Sequence, residues 1–600
     1  MEALRRLNKY FARYKGTLVL GTIFLITANI FLVWIPVYIR NTMDEVEKMG
    51  QNTQQDYSSI WNALFTSEAG SLLATNALML VVFVLMYGIL LFATRQTLIV
   101  ASRKIEYDLH NDVFNKLVAL PQSYFSSHRS GDIYVRATED IVRTREYFGP
   151  AFMYTINTLS RGGVIITMML LVNPQLTLWA LIPLPLLSAF AYYFSGYIQD
   201  YSNLIQQQYS KLAGKGQEIF SGIRLIKAYN RVDYEYSRFE QESETYRKRR
   251  LKLDMVESLF HPTLVFLIGM SILLVVWQGG KMVINEVITV GNIAEFVIYV
   301  AYLTWPVASL GYTINRFQRS LASWHRIQEL LDEPEEVSDT ADTDFSIENF
   351  EGRIKFEHVD FTYPGASSPT LKDINLHIEP GEHVAFVGRT GSGKTTLVQL
   401  IPRLFNPDKG KISLDGIPVE RIPLHVLRGN IGYVPQETFL FSDTIAENIA
   451  FGNKEADMEA IEDAAEKAQV RDNILEFERK FETILGERGI TLSGGQKQRT
   501  SIARALIKDP KILIFDDSLS AVDTNTEDAI LHHLLEELKG VTSIMISHRI
   551  STIKDADRIF VLDDGHIVES GTHDSLLKND GYYASMYNRQ LLEEELANIN

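Results

Sequence analysis

The stretch Gly388-Arg389-Thr390-Gly391-Ser392-Gly393-Lys394-Thr395 has the residue types and spacing of a loop that holds phosphate. Its glycines let backbone N–H groups curl around an anion, and the N-terminus of the following helix adds positive potential. Lys394 is placed to reach the β- and γ-phosphates of a nucleotide, and Thr395 to ligate Mg²⁺, with Thr396 beside them at the start of the helix 396–404. The run Val384-Ala385-Phe386-Val387 just before the loop reads as a short buried strand, the context this motif requires. A second apolar strand, Ile512-Leu513-Ile514-Phe515, ends in Asp516, where a Mg²⁺ shell needs a carboxylate. Four apolar residues and an acid are a weak signal alone. Beside the phosphate loop they are a strong one.

These groups need a sheet to carry them, and the second half of the chain supplies the pattern. After the acidic stretch 329–344, apolar runs alternate with helical spacing, as in an α/β parallel-sheet nucleotide fold. The first half reads differently. Six apolar segments, near 17–38, 72–94, 151–172, 175–195, 259–279 and 290–312, match the roughly 20 helical residues that cross a bilayer. The long connections 95–150 and 196–258 are rich in Lys and Arg, including Arg247-Lys248-Arg249-Arg250. The connection after the first span carries Asp44, Glu45, Glu47 and Glu68. The positive-inside rule therefore puts both termini, both long connections and the nucleotide domain in the cytoplasm. Apolar residues recur at helical spacing through 105–120 and 204–234, so the spanning helices are expected to continue into the cytosol. Residues 1–15, with Arg5, Arg6, Lys9, Arg13 and Lys15 among Leu4, Leu7, Tyr10 and Phe11, read as an interfacial elbow helix on the inner membrane face. The expected domains are 1–16 elbow, 17–325 transmembrane, 326–350 linker, 351–590 nucleotide-binding and 591–600 acidic tail.

Composition excludes several classes. The 600-residue chain has a net charge of −16, which argues against a nucleic-acid partner, and no cysteine, which rules out disulfide scaffolds and thiolate chemistry. Arg161 lies half-way along the third span, where a charge costs a few kcal/mol on insertion scales. Two readings stand: a cavity-lining cation that meets anionic substrate groups, or an arginine paired with an acid or snorkelling to the cytosol. Glu295 is expected at the outer membrane interface. Tyr299, Tyr302 and Trp305 could face a cavity and suit apolar cations, or serve helix packing and interface anchoring.

Leu492-Ser493-Gly494-Gly495-Gln496 decides the family when taken with the phosphate loop. Together they identify an ABC-transporter nucleotide-binding domain, and six spans followed by one cassette resemble the half-size bacterial exporters of the multidrug and lipid type. The resemblance implies that Tyr363 stacks on adenine, that Gln436 senses Mg²⁺ and contacts the membrane domain, and that His548 is the switch histidine at the γ-phosphate. It implies an X-loop at Gly486-Glu487-Arg488-Gly489, a D-loop at Ser520-Ala521-Val522-Asp523, and coupling helices around 127–132 and 223–235. Ser493, Gly494, Gly495 and Gln496 would meet the γ-phosphate of ATP held by a second chain, a helix N-terminus again offering neutral donors to an anion.

One position departs from the family pattern. The residue after the magnesium aspartate is normally glutamate, which orients or deprotonates the attacking water; here it is Asp517. Its carboxylate retreats by roughly 1 Å, and misplacement on that scale can cost about 10²-fold in rate. With the signature intact, the combination resembles the degenerate-site subunit of heterodimeric multidrug exporters. The expected activity is ATP-dependent export of amphipathic small molecules or lipids, with ATP and Mg²⁺ as cofactors, a second half-transporter as partner, and membrane lipid around it. A shifted backbone or bridging water that lets Asp517 act as a slow base would fit a homodimeric lipid flippase. An ATP-gated channel or regulatory membrane ATPase is the alternative of another class.

Overall fold

The computed structural model describes residues 2–51, 68–486, 492–518 and 540–599. The D-loop residues Ser520 to Asp523 and the Glu487-Arg488-Gly489 part of the X-loop lie outside them. The described chain divides into two units, Met1–Lys116 with Gly131–Asp332, and Leu117–Ser130 with Glu333–Asn600.

The first unit is helical because its apolar runs have no water to bond and must satisfy every backbone group internally. Among the described residues, five helices are long and apolar enough to cross a membrane: Leu7–Lys48, Gly70–Ala119, Ser130–Val172, Pro174–Ser221 and Val232–Ile284. The sixth expected span falls within the helix Val290–Asp332. Each exceeds the bilayer's need, so the cytosolic connections are continuations of spanning helices. Asn173 caps the hairpin between the third and fourth spans by accepting from Leu176 N–H at 2.9 Å, with Pro174 at the first helical position.

Two π-helical turns, Arg95–Ile99 and Tyr147–Ala151, interrupt the second and third spanning helices. A Cβ on Gly149 would sit 2.6 Å from Ser102 Oγ, and one on Gly21 would sit 2.5 Å from Thr97 Oγ1. Only glycine lets these backbones approach that closely.

The elbow is the start of the first long helix, Glu2–Gln51, with non-helical backbone at Tyr14. Four of its polar side chains reach a second helix. Lys9 and Tyr10 reach Asp112, and Arg13 and Tyr14 reach Asp108, on the helix Val100–Ala119. Leu7 and Tyr10 are buried, Tyr10 edge-on to Phe148 and Trp324.

Glu295, expected at the outer membrane interface, is enclosed by protein. It is fully buried, pairs with Arg40 at 3.0 Å, and accepts from Tyr299 Oη at 3.0 Å. Tyr299 is buried as well, its hydroxyl also 3.0 Å from Val33 O, so it packs the helix bundle and does not face a cavity. A glutamate one turn before a tyrosine on the same helix meets the arginine near the end of the first span, and desolvation makes the loss of either partner alone costly.

The described residues of the second unit form ten strands: β1 Ile354–Phe361, β2 Leu371–Ile378, β3 His383–Gly388, β4 Lys409–Leu414, β5 Ile417–Pro418, β6 Ile431–Val434, β7 Ile512–Asp516, β8 Thr542–Ile546, β9 Arg558–Asp563 and β10 His566–Gly571. One sheet is antiparallel, ordered β2-β1-β4-β5. The other is ordered β10-β9-β3-β8-β7-β6, parallel except for β10. Alternate residues of its strands enter two different cores. Ala385, Val387, Leu513 and Phe515 join one, while Val384, Phe386, Ile512 and Ile514 join the other. Burial on both faces is why these strands read as unbroken apolar runs.

Arg40→Met should strand the Glu295 carboxylate and cost about 3 kcal/mol of stability, read as a lower melting temperature in nanodiscs. Adding Glu295→Leu to that variant is expected to recover most of the loss.

Candidate nucleotide-binding site

A parallel sheet sends all of its outgoing loops to one edge, and ligands bind there. The order β3-β8-β7-β6 lines up four of them. The phosphate loop with Lys394 follows β3, Ser547 and His548 follow β8, Asp516 and Asp517 close β7, and Gln436 follows β6. Residues spread over 160 positions of sequence thus meet on one rim.

Within the loop, Gly391 and Gly393 have φ of +84° and +102°, and a Cβ on Gly393 would lie 2.8 Å from Leu371. A side chain is excluded there on both counts. Arg389, Thr390 and Gly391 are exposed, whereas Ser392, Gly393, Lys394 and Thr396 are buried. Gly388 ends β3 with a hypothetical Cβ 2.1 Å from Leu562 O. Lys394 Nζ donates to the carbonyls of Gly388 and Arg389, each at 2.9 Å. Ser392 Oγ is buried with no hydrogen-bond partner. A buried hydroxyl without a partner on a loop rich in N–H groups fits an anion that supplies the missing acceptor.

Asp516 is 1 % exposed. Its two oxygens accept from Thr395 Oγ1 at 2.8 Å and Tyr433 Oη at 3.0 Å. Burial pushes its carboxyl above the ordinary value. The Thr395 and Tyr433 hydroxyls pull it down, Asp517 pushes it up and Lys394 pulls it down. Burial likewise lowers the Lys394 ammonium, against the pull of Asp517 and Asp516. The hydroxyl of Thr395, the carboxylate of Asp516 and the amide of Gln436 form an all-oxygen donor set. That set suits Mg²⁺, which takes one or two carboxylates and completes its shell with phosphate and water.

Asp517 has φ of +47°, in the left-handed region that aspartate tolerates. Its backbone N–H donates to Ile546 O at 2.9 Å, which ties it to the end of β8. Its carboxylate accepts from Gln436 Nε2 at 3.2 Å and lies 3.9 Å from His548 Nε2. The three residues expected at the hydrolytic centre are therefore together.

Tyr363 is half-buried. Its hydroxyl lies 3.0 Å from Thr396 Oγ1, and its ring packs edge-on against Phe361 and Phe405. The signature residues stand at a helix start. Ser493 caps the helix Gly494–Leu506, its hydroxyl accepting from Gln496 N–H at 3.3 Å while Gln496 Oε1 accepts from Ser493 N–H at 3.0 Å. This reciprocal capping box leaves the Ser493 hydroxyl proton and the first N–H groups to face outward. Gln496 is thus held by the serine beside it, a role its place in the motif does not announce. Tyr433 is the other residue that sequence reasoning passed over. It stands three residues before Gln436, in the strand paired with β7, and that position is the available signal.

Comparison with known proteins follows the same division. Residues 18–307 match the ABC transporter transmembrane region and residues 371–520 match the ABC transporter domain. The chain is 33% identical over 592 residues to the probable multidrug resistance ABC transporter ATP-binding/permease protein YheI of Bacillus subtilis, covering 98% of each. It is 35% identical over 528 residues to the multidrug resistance-like ATP-binding protein MdlA of Escherichia coli, covering 88% of this chain and 89% of that one. It is 34% identical over 498 residues to the ATP-dependent lipid A-core flippase of Chromohalobacter salexigens, covering 82% and 85%. Among solved structures, a bacterial Atm1-family ABC exporter with ATP bound superposes with a TM-score of 0.73 at 25% identity, over 97% of this chain and 98% of that one.

Ser493→Asp separates the two duties of the serine. Aspartate caps a helix as well as serine does, so the melting temperature should hold, while a negative charge at the end expected to meet phosphate should remove ATPase activity. Ser493→Ala should instead cost about 1 kcal/mol of stability.

Proposed function

This chain belongs to the ABC transporter family, with transmembrane and ATP-binding domains on one polypeptide, and on that premise we propose that it exports amphipathic molecules or lipids as one subunit of a two-chain pump whose own phosphate-loop site turns over slowly. It is a multi-span protein of the cytoplasmic membrane with a cytosolic ATPase domain, and ABC exporters couple ATP hydrolysis to transport as dimers. The multidrug and lipid names of its relatives support the substrate class.

In this reading Lys394 swings from the Gly388 and Arg389 carbonyls to the β- and γ-phosphates of ATP. Thr395 and Asp516 would hold Mg²⁺, which would supply neutralising charge to those phosphates. Tyr433 keeps the Asp516 carboxylate aimed. Tyr363 supports the adenine, and the Ser493 end of the signature helix completes the site of the second subunit. Gln436 and His548 flank the position where water must line up with the γ-phosphorus.

The observation that carries the slow-site reading is Asp517 where the family has glutamate. The shorter side chain places its carboxylate on Gln436 and His548 and draws it back from the attacking water. A second reading has a specific observation in its favour. The same contacts, 3.2 Å to Gln436 and 3.9 Å to His548, would also hold a working base, and a self-assembled pair of identical chains would then suffice.

ATPase activity of the purified chain, with and without Asp517→Glu, tests the choice. The slow-site reading expects a low rate that rises about 10- to 100-fold in the variant. A lone chain that already turns over briskly and gains nothing from glutamate would favour the homodimer.

A further inference from the structure

Charged side chains inside a membrane survive when something of opposite sign meets them. Arg40 and Glu295 do this for each other. Neutral polar groups in the bundle are matched too: Asn29 donates to Asn157 Oδ1 at 3.0 Å and to Ser160 Oγ at 2.7 Å, and Thr158 Oγ1 lies 3.2 Å from Ser309 Oγ. Asn157 and Thr158 are one helical turn before Arg161, so Arg161 belongs to the same polar belt.

Arg161 is the member of that belt with no answering acid among the described residues. Its ionisable neighbours are Tyr87 and Tyr302, and its guanidinium carbon sits 5.1 Å from the centre of the Tyr302 ring. Its Nε is buried without a hydrogen-bond partner. A ring face attracts a cation but accepts none of its N–H bonds in their own plane. The helix thus holds a guanidinium fork at mid-membrane, steadied by one aromatic ring, with donors unspent. Trp305, three residues beyond Tyr302 on the same helix, is an exposed aromatic.

We propose that Arg161 binds the anionic head group, phosphate or a close analogue, of an amphiphile within the membrane, with Tyr302 and Tyr87 framing the head and Trp305 meeting the start of the tail. The planar fork of arginine matches two oxygens of such a group at once, which a point charge does not. The assignment rests on the export reading and narrows its substrate class to anionic amphiphiles.

The test is binding to the full-length chain in phosphatidylcholine nanodiscs of three probes that share one tail: decyl phosphate, decyltrimethylammonium and decyl maltoside. Decyl phosphate should bind at least tenfold tighter than the other two. Arg161→Met should remove that preference, Arg161→Lys should keep part of it, and Arg161→Glu should turn it toward decyltrimethylammonium. Each variant is read at an unchanged melting temperature and ATP affinity. Nanodiscs containing phosphatidylglycerol should compete with decyl phosphate if a bilayer lipid uses the same head-group site, and competition absent from Arg161→Met would support the assignment to that source. Equal affinity for the three probes, or a preference that persists in Arg161→Met, overturns the assignment. ATP-dependent movement of the probes in inside-out vesicles tests the export reading separately. Movement without head-group preference removes only the Arg161 site, whereas preference without movement removes only the export reading.

Discussion

The ATP-binding unit is organised around a carboxylate that water cannot reach. Asp516 ends a strand buried on both faces, beside a lysine that is itself buried, and each is disfavoured in its charged form. Two hydroxyls from two other elements hold the carboxylate in place. Thr395 comes from the helix after β3 and Tyr433 from β6. Their convergence depends on a parallel sheet whose outgoing loops share one edge. Negative charge at Lys394 and positive charge at Asp516, which ATP and Mg²⁺ would bring, favour the charged forms that burial opposes. Binding is then favoured by burial that folding has already completed.

The membrane unit faces the same problem with a different solution. Lipid offers no partner, so polar groups must find one another across helices. Arg40 and Glu295 are 255 positions apart, Tyr10 and Asp112 are 102 apart, and Asn29 and Ser160 are 131 apart. These pairs fix which helices neighbour one another, since a slipped helix would strand a charge. The elbow ladder onto Asp108 and Asp112 does so at the cytosolic end, and the buried pair does so along the first and last spans. Gly21 and Gly149 allow the close approach at the π-helical turns. The energetic argument that holds Glu295 to Arg40 is the one that makes Arg161 conspicuous.

Local signals in the sequence were legible, and partners at long range were not. Glycine spacing exposed the phosphate loop, apolar runs exposed both the spans and the buried strands, and Leu492 to Gln496 exposed the signature. The family pattern also made Asp517 stand out. Hydrogen bonds that join distant positions leave no spacing to read, so Tyr433 on Asp516 went unassigned. The partner of Glu295 is hidden for the same reason, because Arg40 stands on another helix, and burial selects the packing reading for Tyr299. The contacts of Lys9 and Arg13 are equally invisible in the sequence, because Asp112 and Asp108 lie about a hundred residues away. Gln496 shows a subtler limit. A capping box is local, yet its residues also belong to a functional motif, and the motif drew attention away from the helix they start.

The central claim is that this chain holds ATP at its own phosphate loop and hydrolyses it slowly because Asp517 stands back from the water. Its most direct test is the identity of the bound nucleotide. The active assembly, isolated rapidly during turnover on α-labelled ATP, would carry a cross-link from the nucleotide to a reporter placed at Arg389, and the captured nucleotide would be resolved as ATP or ADP. The account predicts that the nucleotide held by this chain is overwhelmingly ATP. Captured ADP, accumulating at the rate of the assembly's overall turnover, would contradict it.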